Sequence, residues 1–137
     1  MKKIFVDTNV LVDLLTDREP FTKFAVEIFN KAESKHVKLF TSSHSIATTH
    51  YLLKKYTEEK QLRETLFKLL DFISIVAIDQ DIIKKALKSK HKDFEDGVQI
   101  ICAYSVENLD YIVTRNKKDF KNSEILVLSP DELVNKI

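Results

Sequence analysis

The sequence predicts an α/β fold: a three-layer α/β/α sandwich with a central, mostly parallel five-stranded sheet. Three observations lead there. Short runs that are apolar on both faces, the pattern of parallel strands covered on both sides, alternate with stretches that repeat apolar residues every 3.6 positions. The polar residues that matter most fall directly after those runs or at helix starts. No linker, repeat or low-complexity segment interrupts the 137 residues, so residues 1–137 read as a single domain long enough to bury a full core.

The chain begins with a strand over residues 3–6, ended by Asp7-Thr8-Asn9. A helix follows through Val10, Leu11, Leu14 and Leu15 and stops before Pro20; Asp13 lies on it without an obvious partner. Residues 21–35 carry Phe21, Ala25, Ile28, Phe29 and Ala32, a helical stripe whose aromatic residues are core. Residues 37–40 form the second strand, and Ser43 is placed to cap the next helix, which bears Ile46, Ala47, His50 and Leu53. Thr48 falls in its second turn. A further helix after Thr57 shows Leu62, Leu66, Leu69 and Leu70. Residues 74–78 make the third strand, and Asp79 caps a helix with Ile82, Ile83, Ala86 and Leu87. The last strand covers residues 125–128, before the capping box Ser129-Pro130-Asp131-Glu132.

Between these lies the most informative stretch, DFEDGVQIICAYSVENLDYIVTRNKKDF, residues 93–120. Asp93, Glu95 and Asp96 open a buried helix; a break at Glu107-Asn108 leads to the strand Tyr111-Ile112-Val113, which ends in Thr114-Arg115-Asn116. A helix that feeds a parallel strand runs antiparallel to it. Its N-terminus therefore lies at the strand's carboxyl edge, and Asp7, Asp96 and Asn116 meet there, where open α/β sheets bind ligands. Gly97, the only glycine, sits inside this helix. It should cost about 1 kcal/mol against alanine and reads as a tolerated flaw more than a close approach.

Composition adds bounds. With 44% hydrophobic and 31% charged residues, the chain has the balance of an ordinary globular protein. Cys102, alone in an apolar run, reads as a small core residue. Asp7 and Asp13 break up the N-terminal apolar segment, which excludes a signal peptide, and no stretch approaches a membrane span. The expected location is cytoplasmic. Net charge is only +1, but lysines crowd residues 84–92, and Arg115, Lys117, Lys118 and Lys121 form a second cluster. Both flank the acidic stretch. They fit either a cationic rim for a polyanionic substrate or a plain solvated surface.

Hard oxygen donors such as Asp7, Asp96 and Asn116, without a cysteine cluster or a convincing histidine pair, suit Mg²⁺ or Mn²⁺ rather than zinc. His44 and His50 lie on different helix faces and read as packing or surface residues; His36 and His91 read as exposed.

Three segments carry a family resemblance: IFVDTNVLVD at residues 4–13, DFED at 93–96, and YIVTRN at 111–116 with KDF at 118–120. In this order and spacing the chain resembles the PIN domain, the small metal-dependent ribonuclease fold of VapC-type toxins and ribosomal RNA processing factors. The resemblance implies a central parallel sheet, RNA as substrate, frequent homodimers and often a cognate antitoxin. It implies that Asp7 and Asp96 hold the metal and orient water, and that Asn116 assists, with Asp93 or Asp119 beside it. Arg115, Lys117 and Lys118 are expected to hold the RNA backbone. One departure stands out: Thr48 occupies the place where the family offers a glutamate. Asp93, Glu95 or Asp119 would compensate; otherwise the chain is a catalytically weak RNA-binding or regulatory module. A phosphoacceptor receiver domain is discounted, because Asp7 has no acidic neighbour and no lysine follows the last strand.

Overall fold

The computed structural model describes residues 1–137 and gathers five strands into one sheet. They are β1 (Lys2–Val6), β2 (Val37–Ser42), β3 (Ile73–Val76), β4 (Tyr111–Val113) and β5 (Leu126–Leu128), in the order β3-β2-β1-β4-β5. Every neighbouring pair is parallel, so the sheet is wholly rather than mostly parallel. The helices are α1 (Thr8–Leu15), α2 (Phe21–Glu33), α3 (Ser43–Leu53), α4 (Glu59–Leu69), α5 (Gln80–Lys88), α6 (Phe94–Tyr104) and α7 (Pro130–Lys136). A 3-10 turn spans Lys117–Phe120.

Strand alternation divides the core between the two faces. Ile4, Val6, Leu39 and Val113 point into a cluster with residues of α1, α2, α3, α4 and α7. Phe5 and Ile112 point the other way, into a cluster with Ile82 and Ala86 of α5, Val98 and Ile100 of α6, and Phe120. This is why the strands show no polar face in the sequence. Cys102 is fully buried in the second cluster, and burial first, with Asp79 second, pushes its thiol up to about 12. It is core, as expected.

The topology places the crevice. From β1 the chain winds outward through β2 to β3; it then returns through α5 and α6 on the opposite face and enters β4 on the other side of β1. The strand order thus reverses between β1 and β4, and ligands bind at the carboxyl ends flanking such a point. Helix starts converge there too. Asp7 caps α1 by accepting from the Thr8 N–H, and Asp93 caps α6 by accepting from the Asp96 N–H at 3.0 Å. At α3 the cap is Ser42, not Ser43: the Ser42 hydroxyl accepts from the Ser45 N–H at 2.9 Å. Ser43 instead accepts from the Ile78 N–H, at 3.2 Å, just beyond the end of β3.

Gly97 also departs from expectation. A Cβ there would meet His91 Cβ and Ser89 Oγ, each at 3.3 Å. The connector between α5 and α6 presses onto the helix, so the glycine serves a close approach, and His91 is half-buried rather than exposed.

Candidate metal centre

At the carboxyl ends of β1 and β4 opens a cleft of about 450 Å³ lined by Asp7, Asp96, Asn116 and Asp119, and also by His44 and Thr48. Asp7 is the most constrained of these. One carboxylate oxygen accepts from the Thr8 N–H at 2.9 Å, and the other from the Thr114 hydroxyl at 2.8 Å and the Asn9 amide at 3.3 Å. The Gln99 amide approaches the first oxygen at 3.5 Å. Burial raises the Asp7 pKa; the hydrogen bonds from Thr114 and Thr8 work against it, and the Asp119 charge adds to it.

Asp96, at the first turn of α6, is pushed up to about 6. Its desolvation contributes most, followed by repulsion from Asp93, Asp119, Asp7 and Glu95. The cleft is therefore a point of concentrated negative potential, felt mutually by carboxylates from three separate parts of the chain: the end of β1, the start of α6 and the 3-10 turn.

The donor chemistry fits a hard divalent cation. Its acids and amides offer hard oxygens, the carboxylates repel one another, and a buried amide oxygen stands beside them without a partner: Gln99 Oε1. The Gln99 Nε2 faces the Ser45 hydroxyl at 2.6 Å and the Asp7 carboxylate, and the reverse orientation would set Oε1 against that carboxylate. No three His, Cys, Asp or Glu side chains form a ready cage.

The other expected site residues divide: Arg115 and Thr48 line the same cleft, while Asp93, Lys117 and Lys118 lie outside its lining. Asp93 spends one carboxylate oxygen on the α6 cap and faces a neighbouring cleft instead. Arg115 is not a free cation: its guanidinium grips the buried Asp13 through Nε at 2.6 Å and Nη2 at 3.2 Å, and lies 4.3 Å from the Phe21 ring centre. Asp13 thus has a partner after all. Lys117 bonds Glu132 at 2.8 Å, while Lys118 is exposed and takes part in no ion pair. Thr48 lines the cleft, its hydroxyl 3.4 Å from His44 Nε2, and the same ring nitrogen is 3.7 Å from Glu95. His44 is therefore a cleft residue, whereas His50 bonds Glu59 at 2.8 Å.

The residues not anticipated are the ones that set Asp7. Thr114 links it to Asn9 and also accepts from the Asn116 N–H at 3.1 Å; Ser45 receives both Gln99 and the Thr8 hydroxyl. Their signal in the sequence is a polar residue in an apolar setting, most visibly Gln99 within VQIICAYSV.

The family model for the PIN domain matches residues 3–118. Ribonuclease VapC1 of Aquifex aeolicus (strain VF5) is 29% identical over 136 residues, covering 96% of this chain and 92% of the relative. A toxin–antitoxin complex from Klebsiella pneumoniae contains a chain that superposes with a TM-score of 0.68 at 26% identity, over 93% of this chain and 97% of that one. VapBC2 from Rickettsia felis, bound to a DNA fragment from its promoter, shares the fold with a TM-score of 0.68 at 18% identity, covering 93% and 98%.

Proposed function

The chain belongs to the PIN domain family, and from that premise we propose that it is a Mg²⁺- or Mn²⁺-dependent endoribonuclease, the toxin of a toxin–antitoxin pair. The observation that carries this reading is the meeting of Asp7, Asp96, Asn116 and Asp119 in one cleft at the point where the strand order reverses. Likeness to Ribonuclease VapC1 and to the Klebsiella complex supports the substrate class and the antitoxin partner.

Each residue then has a task. Asp7, fixed by Thr8, Thr114 and Asn9, and Asp96, held at the α6 start, would hold the metal directly. Asn116 and Asp119 would orient water at the cleft mouth, and Gln99 Oε1, buried without a partner, would accept a hydrogen bond from it. A divalent ion held there supplies a water of lowered pKa and neutralises charge developing on the phosphate. Lys118 steadies the RNA backbone; Arg115 acts through Asp13, keeping the 114–116 loop in place.

Thr48 favours a second reading, an RNA-binding module with weak catalysis, because a neutral hydroxyl stands where the family offers an acid. One experiment separates the two. Wild-type protein should cut single-stranded RNA in Mn²⁺ or Mg²⁺ and not in EDTA, and Asp96→Asn should lower the rate at least about 100-fold, an interaction loss of ~3 kcal/mol. RNA binding without cleavage in either metal would leave only the module.

A further inference from the structure

A second cleft, of about 420 Å³, lies beside the first and shares two wall residues with it, Asp96 and Asp119. No hydrophobic residue lines it. One side is the connector between α5 and α6, with Lys90 and Lys92; the other is the 3-10 turn and the residues after it, with Lys118 and Lys121. All four lysines are exposed, and none takes part in an ion pair. That distinguishes them from Arg115 and Lys117, whose charges are already bound to Asp13 and Glu132.

The connector's position is not accidental to the fold. Gly97 has no Cβ, and His91 and Ser89 fill the space that one would need, at 3.3 Å. The residues on either side of His91 are Lys90 and Lys92. The only glycine of the chain thus lets the lysine-bearing segment lie against α6, one residue away from Asp96.

We propose that this cleft is a phosphate-binding subsite for the RNA strand on one flank of the metal centre. The inference rests on the ribonuclease reading and adds the strand's path. A phosphodiester at the shared Asp96–Asp119 wall has its neighbouring phosphate on the lysine side, where Lys90, Lys92, Lys118 and Lys121 line the cleft with no ion-pair partner and outnumber its three carboxylates, Asp93, Asp96 and Asp119. Such contacts position a backbone and read no sequence.

The test compares two double variants that remove equal charge. Lys90→Gln/Lys92→Gln alters the cleft; Lys84→Gln/Lys88→Gln alters the same basic run on α5, outside the cleft lining. Binding of a fluorescein-labelled single-stranded RNA is followed in EDTA across a salt series, with folding of both proteins checked by circular dichroism. The cleft variant should bind roughly 10-fold more weakly near 0.1 M salt, with the slope of log K against log salt reduced by about 0.7 per lost contact. The α5 variant should match wild type. Equal losses in both variants, or no loss in the cleft variant, would overturn the subsite. Metal-dependent cleavage by wild type is measured alongside. Cleavage with an unchanged salt slope in the cleft variant rejects the subsite and leaves the nuclease. A reduced slope with no cleavage anywhere rejects the nuclease and keeps the cleft as an RNA-binding face.

Discussion

Asp96 takes a proton more readily in the folded chain than in the unfolded one, since its pKa rises from an ordinary 3.8 to about 6. The sign follows directly. A raised acid pKa means that the folded state binds more protons across that window, so stability falls as pH rises through it. The penalty is absent below the ordinary value and complete above about 6. Asp96→Asn removes it, and should stabilise the metal-free protein by ~1 kcal/mol at about pH 7, a figure reduced for solvent screening, and by nothing at about pH 3.5. Urea unfolding at the two pH values reads this; an equal gain at both would mean that carboxylate repulsion is not the cause. The acids were legible in the sequence because they stand at strand ends and helix starts, where position follows from local pattern. The partners of Asp7 and Asp13 were not. Arg115 and Asp13 are 102 positions apart, and Thr114 and Asp7 107 apart, so only the register of β1 against β4 brings them together.

Two elements carry testable consequences. The Asp13–Arg115 bridge ties α1 to the loop after β4, with the Asp13 side chain almost fully buried and that of Arg115 at 24% exposure. Arg115→Ala strands a buried carboxylate and should cost about 3–5 kcal/mol, whereas Asp13→Leu/Arg115→Met together should cost far less, because the uncompensated charge goes too. Chemical denaturation of both proteins checks it; similar losses would show that packing, not charge, holds the loop. On α3, the side chain of Thr48 faces the cleft one turn beyond His44. Thr48→Glu places a full charge among donors for a dication and should tighten Mn²⁺ binding, read by calorimetry, by roughly 10-fold or ~1.4 kcal/mol. Unchanged affinity there, beside its loss in Asp119→Asn, would show that Asp119 already fills the role. Helices and strands were legible at this scale through periodicity and caps, Asp79 and the Ser129 box among them. The misplaced α3 cap has a local cause: Ser42 and Ser43 are chemically equivalent, and only the extended backbone at Ser42, φ −82° and ψ 156°, selects the first.

Whole-molecule behaviour follows from one sheet serving two cores. Ile4 and Val6 anchor one cluster and Phe5, between them, the other, so neither face can lose its helices without exposing apolar surface on the strand that both share. With one strand serving both clusters, residues 1–137 should unfold as a single unit. Phe5 is fully buried, and Phe5→Ala should destabilise by about 3–5 kcal/mol, from lost transfer energy and a residual cavity. The perturbation starts on the α5–α6 face, yet the loss should appear in one transition. Far-ultraviolet dichroism follows every helix, while tyrosine fluorescence is weighted toward Tyr51 and Tyr56 at and beyond the end of α3 and Tyr104 and Tyr111 at α6 and β4. Coincident midpoints by both signals, shifted together in the variant, are expected. A variant in which the dichroism unfolds in two steps would show that the two faces are separable, and with them the two sides of the cleft, since Asp7 precedes α1 on one face and Asp96 lies on α6 of the other.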